Sequence, residues 1–141
     1  MTIIDTNVLS ETLKPAPSQT VLRWLRAKEP SSVFMTVITQ AELLSGVELL
    51  PDGKRRMRLQ EAVRQILTQQ FSGRILAFDE AAAREYATIV ASRRAVGRPI
   101  SEFDASIAAI ARSHGAAVAT RDTADFDRCG IKLINPWLDE P

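Results

Sequence analysis

Apolar and polar positions repeat along the chain with two periods, near two and near 3.6 residues, and their succession predicts its elements. Ile3 and Ile4 are β-branched and suit a buried first strand, after which Val8, Leu9 and Leu13 recur at helical spacing with Thr6 and Asn7 placed to cap that helix. Pro15 and Pro17 close it, and Ser18 starts a second helix through Val21, Leu22, Trp24 and Leu25 that ends at Pro30. Residues 32–37 are short, uncharged and β-rich, which predicts a second strand. A helix follows at once on Ile38, Ala41, Leu43, Leu44, Val47 and Leu50, stopped by Pro51 and Gly53, so Glu42 falls in its first or second turn. Leu59, Val63, Ile66, Leu67 and Phe71 mark a further amphipathic helix ending near Gly73.

Residues 74–78 (RILAF) predict a third strand, and Asp79 caps a long helix through Ala82, Tyr86, Ile89 and Val90 that Gly97 and Pro99 break. Ser101 opens the next helix. Phe103, Ile107 and Ile110 form its apolar stripe, and Asp104, Ala108 and Ala111 line the neighbouring one. Gly115 ends that helix, residues 116–120 (AAVAT) predict a fourth strand, Phe126 belongs to a short helical turn, and residues 132–134 (KLI) predict the last strand. Strands and helices alternate throughout, which predicts an α/β fold with a mostly parallel central sheet covered on both faces. No linker, repeat or low-complexity segment interrupts the pattern, so residues 1–141 are expected to form a single domain.

Composition narrows the function classes. A chain of 141 residues buries about two thirds of its unfolded surface and needs no disulfide or metal staple. With no run approaching the roughly 18 apolar residues of a membrane span, and no basic segment leading into an apolar core and cleavage site, a cytoplasmic protein without membrane partners is expected. The lone Cys129 excludes an internal disulfide, and with a single His114 the chain cannot supply a Cys and His zinc cluster. Lys and Arg total 18 against 17 Asp and Glu, so net charge selects no partner and local arrangement must. Between Gly53 and Arg74, Lys54, Arg55, Arg56, Arg58, Arg64 and Arg74 face Glu61 alone, and Arg93, Arg94 and Arg98 form a second group. Such a helical cluster is either a solvated face or a phosphate contact.

Four acids occupy comparable places: Asp5 after strand one, Glu42 just past strand two, Asp104 early in a helix and Asp122 directly after strand four. In a parallel sheet those ends share one edge, where α/β folds carry their sites. Each acid also has a plainer role. Asp5 can cap a helix, while Glu42 and Asp104 stand three residues after Thr39 and Ser101, the spacing of a capping box. Converging carboxylates cannot all ionise without a cation between them, and an all-oxygen donor set selects Mg²⁺ or Mn²⁺ over zinc. A phosphoacceptor domain would instead need paired acids on strand one and a lysine after the last strand, and neither is present.

The segments MTIIDTNVLSE, TVITQAELLSGVELL, RPISEFDASIAAIARSHGAAVATRD and the closing INPW resemble a PIN-domain protein over essentially the whole chain. The chain is most similar to the VapC-like ribonuclease toxins of type II toxin-antitoxin modules, and particularly to their FitB-like branch. That resemblance implies a three-layer α/β/α sandwich, a homodimer, and a Mg²⁺-dependent endoribonuclease inhibited by a cognate antitoxin, with operator DNA reached only through the antitoxin. It places the acidic quartet, as metal ligands and catalytic residues, on Asp5, Glu42, Asp104 and Asp122. Many relatives carry Asn at the position of Asp122 and a further acid near Asp125, so the fourth acid is one or the other. Thr6, Asn7 and Thr120 match polar positions that support the acids, with helix capping as the alternative. Arg121 and the group Lys54, Arg55, Arg56 and Arg58 are candidate contacts to the RNA backbone. The rival expectation is a catalytically silent subunit of a DNA-binding antitoxin complex.

Overall fold

In the computed structural model, which describes residues 1–138, neighbouring residues of the central strand serve two separate cores. Strand β1 (Thr2–Ile4) is extended, so Ile3 and Ile4 point to opposite faces of the sheet. β1 pairs in parallel with β2 (Val33–Thr36) on one side and with β4 (Ala117–Ala119) on the other. β3 (Ile75–Leu76) lies outside β2 and β5 (Leu133–Ile134) outside β4, which gives the order β3-β2-β1-β4-β5 with every pairing parallel.

Helices α5 (Glu80–Ala95) and α6 (Glu102–Ser113) cover the face of Ile3 and Val118 with Ala82, Ile89, Ile107, Ala108 and Ile110. The opposite face, with Ile4 and Ala119, is covered by α1 (Thr6–Thr12), α2 (Gln19–Arg26), α3 (Val37–Glu48) and α4 (Lys54–Gln65). Val8, Leu9, Val21, Leu43, Val47 and Val63 supply that second core, and α4 runs on into a π-helical stretch, Ile66–Gln70. The expected α/β/α sandwich is thus formed, and its central sheet is wholly parallel. The last three positions of the expected domain 1–141 lie outside the described residues.

Several local expectations are corrected. Asp5, not Thr6 or Asn7, is the N-cap of α1, because the strand ends one residue earlier than a threonine cap would require. Thr36 caps α3, its hydroxyl accepting from the Thr39 amide at 3.2 Å, so Thr39 is not the start of a capping box for Glu42. β3 pairs only with β2 and shrinks to two residues of the expected five. Phe103 is 57% exposed rather than part of the α6 core stripe, since the first turn of that helix reaches the rim of the molecule. Arg93, expected on a basic surface, is buried. Its guanidinium donates to the carbonyls of Arg98 at 2.6 Å, Asp125 at 2.9 Å and Asp127 at 2.7 Å, joining α5 to the loop after β4.

Candidate acidic active site

An all-parallel sheet brings its strand ends to one edge, and here β2 and β3 are added on one side of β1 while β4 and β5, reached after α5 and α6, are added on the other, which opens a crevice between β1 and β4. The register sets Ile4 beside Ala119, so the next residues, Asp5 and Thr120, meet across that crevice. The Asp5 amide donates to the Ala119 carbonyl at 2.9 Å, the last rung of the ladder. One Asp5 oxygen, Oδ1, accepts from the Thr6 amide at 2.8 Å, and Oδ2 accepts from the buried Thr120 hydroxyl at 2.8 Å. Asp5 therefore caps a helix and also faces the crevice.

The second acid arrives on α3. Glu42 Oε1 accepts from the Thr6 hydroxyl at 2.8 Å, and the same hydroxyl lies 3.0 Å from that of Thr39. Asp104 arrives on the first turn of α6, where its amide donates to the capping hydroxyl of Ser101 at 3.2 Å. Asp122 follows β4 directly. Asn7 Nδ2 donates to Asp122 Oδ2 at 3.1 Å and to Thr120 Oγ1 at 3.2 Å, while Asn7 Oδ1 accepts from the Arg121 amide at 3.3 Å. One amide side chain from α1 thereby clamps the start of the loop after β4. Asp125 sits in the following 3₁₀ turn, Thr123–Phe126.

These acids feel one another. Burial pushes Asp5 up to about 6 against the pull of its hydrogen bonds to Thr120 and Thr6, with repulsion from Asp104 and Glu42 adding to the rise. Glu42 is also raised, by burial first and by Asp104, against the Thr6 hydrogen bond. Asp104 is raised by burial, then by Asp125 and Asp122, while Ser101 and the positive charge of Arg93 oppose. Asp104 is the acid through which both sides of the crevice are coupled.

Among the described residues, no three Asp, Glu, His or Cys side chains are grouped to hold one ion by themselves. The donors are nonetheless all oxygen, and they repel one another. Such a set fits a hard divalent cation that keeps much of its water, as Mg²⁺ does, and does not fit zinc.

A cleft of about 850 Å³ opens beside Thr6 and Glu42, floored by apolar residues such as Leu43 and Leu59 and edged by Lys14, Arg55 and Arg58. The basic cluster is thus divided. Arg55 and Arg58 line the cleft, whereas Arg56 is engaged by Asp52 at 2.8 Å and Glu48 at 3.1 Å and Lys54 lies outside the cleft wall. The Arg121 guanidinium stacks 5.3 Å from the centre of the Trp137 ring. Thr39 and Arg93 were not expected among the residues that shape the site. Thr39 carried a signal, being one helical turn before Glu42, but that spacing equally fits a cap; Arg93 carried none.

A doubly wound parallel sheet whose first turn reads Asp5-Thr6-Asn7, where a dinucleotide binder needs glycines, defines an α/β domain with an acidic site. The chain belongs to the PIN-domain family, which matches residues 2–132. It is 42% identical to the Toxin FitB of Neisseria gonorrhoeae over 139 residues, 99% of this chain and 100% of that protein. It is 41% identical to the VapC ribonuclease Y4jK of Sinorhizobium fredii over 137 residues, 97% of this chain and 98% of that one. Its fold superposes on a FitAB complex bound to an IR36 DNA fragment with a TM-score of 0.92 at 42% identity, covering 97% of this chain and 96% of that one.

Proposed function

We propose that the chain is a divalent-metal-dependent endoribonuclease acting as the toxin of a type II toxin-antitoxin module. The observation that supports this most is the convergence of Asp5, Glu42 and Asp104, each raised by burial and by repulsion from neighbouring acids, in a crevice that opens onto a cleft edged with cations. Asp5, Glu42 and Asp104 would hold Mg²⁺, or Mn²⁺ in its place, directly or through water, and Asp122 or Asp125 completes the set. When bound, such an ion supplies positive charge for the phosphate oxygens and acidifies the attacking water. Thr6 and Thr120 fix the Asp5 and Glu42 carboxylates, which would hold the ion. Asn7 holds Asp122 at the mouth. Arg55 and Arg58, with Lys14 opposite, offset the charge of the acids and admit the RNA backbone along the cleft.

The relatives carry the partner. A ribonuclease name attaches to the Sinorhizobium protein and a DNA-bound FitAB complex to the similar structure, so we assign this chain a cognate antitoxin and operator DNA through that antitoxin; the homodimeric state and cytoplasmic setting that the family resemblance implies are part of the same proposal. No helix among the described residues is long and apolar enough to cross a membrane. The test is cleavage of a defined RNA pool by purified protein in Mg²⁺, in Mn²⁺ and in chelator. D5N removes one charge while its single carbonyl oxygen can still accept from one of the two donors, the Thr6 amide or the Thr120 hydroxyl, so it should keep the fold and lose at least ~100-fold in rate. Metal-independent cleavage, or full activity in D5N, overturns the assignment. A wild-type chain that cleaves nothing yet still joins its antitoxin on DNA would be the silent subunit instead.

A further inference from the structure

We propose that Thr39 is a positioning residue that orients the Glu42 carboxylate through the hydroxyl of Thr6. Thr39 is fully buried in the first turn of α3, and its side chain has one hydrogen-bond partner among the described residues, the Thr6 hydroxyl at 3.0 Å. A buried hydroxyl left without an acceptor costs on the order of 1–3 kcal/mol, so the Thr39 proton must point at Thr6 Oγ1. Thr6 Oγ1 then accepts from Thr39, and its own single proton is left for Glu42 Oε1, 2.8 Å away. The direction of the relay is fixed: Thr39 donates to Thr6, and Thr6 donates to Glu42.

That direction has a geometric consequence. The Thr6 amide is already committed to Asp5 Oδ1, so the backbone of Thr6 positions one acid and its side chain positions the next. With Thr39 in place, Glu42 Oε1 is held by Thr6, and among the described residues no hydrogen bond engages Oε2. Thr39 can fill this role because Thr36 caps α3 instead. The Thr36 hydroxyl takes the Thr39 amide at 3.2 Å, leaving the Thr39 hydroxyl no duty at the helix end. Among the described residues the Thr39 hydroxyl makes no hydrogen bond to an acid, and it is buried too deep to meet a substrate.

The proposal rests on the acidic crevice being a metal site, and the experiment separates the two. T39V keeps the β-branched shape and the amide but removes the hydroxyl; T39S keeps the hydroxyl and removes the methyl; T6V breaks the relay at its middle. Mn²⁺ dissociation constants are measured by calorimetry for wild type, the three single variants and T6V/T39V. T39V should weaken Mn²⁺ binding about tenfold, as loss of a group that orients a metal ligand does, while T39S stays at the wild-type value. T6V/T39V should bind no more weakly than T6V alone, because both substitutions cut one chain. Wild-type affinity in T39V, an equal loss in T39S, or additive losses in the double variant overturn the relay. A crystal structure of metal-free T39V gives a readout independent of the ion. Thr6 should rotate away from Glu42, and an intact Thr6–Glu42 contact overturns the proposal even if the wild type takes up no Mn²⁺. Absence of Mn²⁺ uptake by the wild type, in contrast, counts against the metal site, and the rotamer of Thr6 then decides the relay alone.

Discussion

The two sides of the acidic crevice are held by different chemistry. On the side of β1 and α3, Asp5 and Glu42 are fastened by neutral donors: the Thr6 amide, and the hydroxyls of Thr120 and Thr6. On the side of the loop after β4, Asp122 is clamped by the Asn7 amide, and the backbone of Asp125 and Asp127 is pinned by the buried cation of Arg93. Neutral hydroxyls fix a carboxylate without cancelling its charge, so the first side keeps the repulsion that a cation would relieve. A guanidinium spending its donors on backbone carbonyls keeps its own charge nearby, and it lowers the repulsion felt by Asp104. One side is thereby poised and the other moderated.

R93M tests the moderated side and should have the largest effect on stability. Methionine fills the stem but leaves the carbonyls of Arg98, Asp125 and Asp127 without the guanidinium, Asp127 keeping only the weak Cys129 thiol, a loss of about 2–4 kcal/mol in denaturant unfolding. Amide exchange should speed up across residues 122–129 and not in α3. Equal acceleration on both sides would break the contrast.

The poised side should show itself in pH dependence. Asp5 carries a folded-state value of about 6 against an ordinary 3.8, so between those values the folded chain binds more protons than the unfolded one. Stability of the metal-free protein should therefore be greatest below about pH 4 as far as this group is concerned, and should fall by on the order of 3 kcal/mol as pH rises through 6. Glu42 and Asp104 act in the same sense. Mg²⁺ should restore the loss above pH 6, because it binds the folded site and hardly the unfolded chain. A metal-free melting temperature that rises between pH 4 and 6 in wild type, with no reversal in D5N, would contradict this.

D122N and D125N sharpen the boundary between the sides. Asp122 is preorganised by Asn7 beside the Thr120 that serves Asp5, so D122N should weaken Mn²⁺ binding more than D125N. The reverse order in a calorimetric titration would move the fourth acid to Asp125, the stronger of the two in its repulsion of Asp104. The smallest effect expected is on the cleft wall. R55Q/R58Q should lower the salt slope of RNA binding by about 1.4, near 0.7 for each lost phosphate contact to a single strand. R56Q should leave it unchanged, since Arg56 is already engaged by Glu48 and Asp52. A slope unaltered in R55Q/R58Q would make the cluster a solvated face.

Local pattern was enough to assign the strands and helices and to place each acid at the end or start of its element, because each depends on residues a few positions apart: the β-branched pair Ile3 and Ile4 before Asp5, the 3.6-residue stripe around Glu42, the serine three before Asp104. The identity of the caps was only half legible. Thr36 and Thr39 are equally good caps on paper, and where the strand stops decides between them. Only the tertiary structure could turn Thr39 inward to Thr6, 33 residues away, bring Thr120 across to Asp5 over a separation of 115, and bury Arg93 against carbonyls 32 and 34 residues further on. Periodicity records which face of an element is buried. It carries no information about which polar group from a distant element will be there to meet a buried hydroxyl or guanidinium, and that meeting is what sets the orientation and charge of the acids.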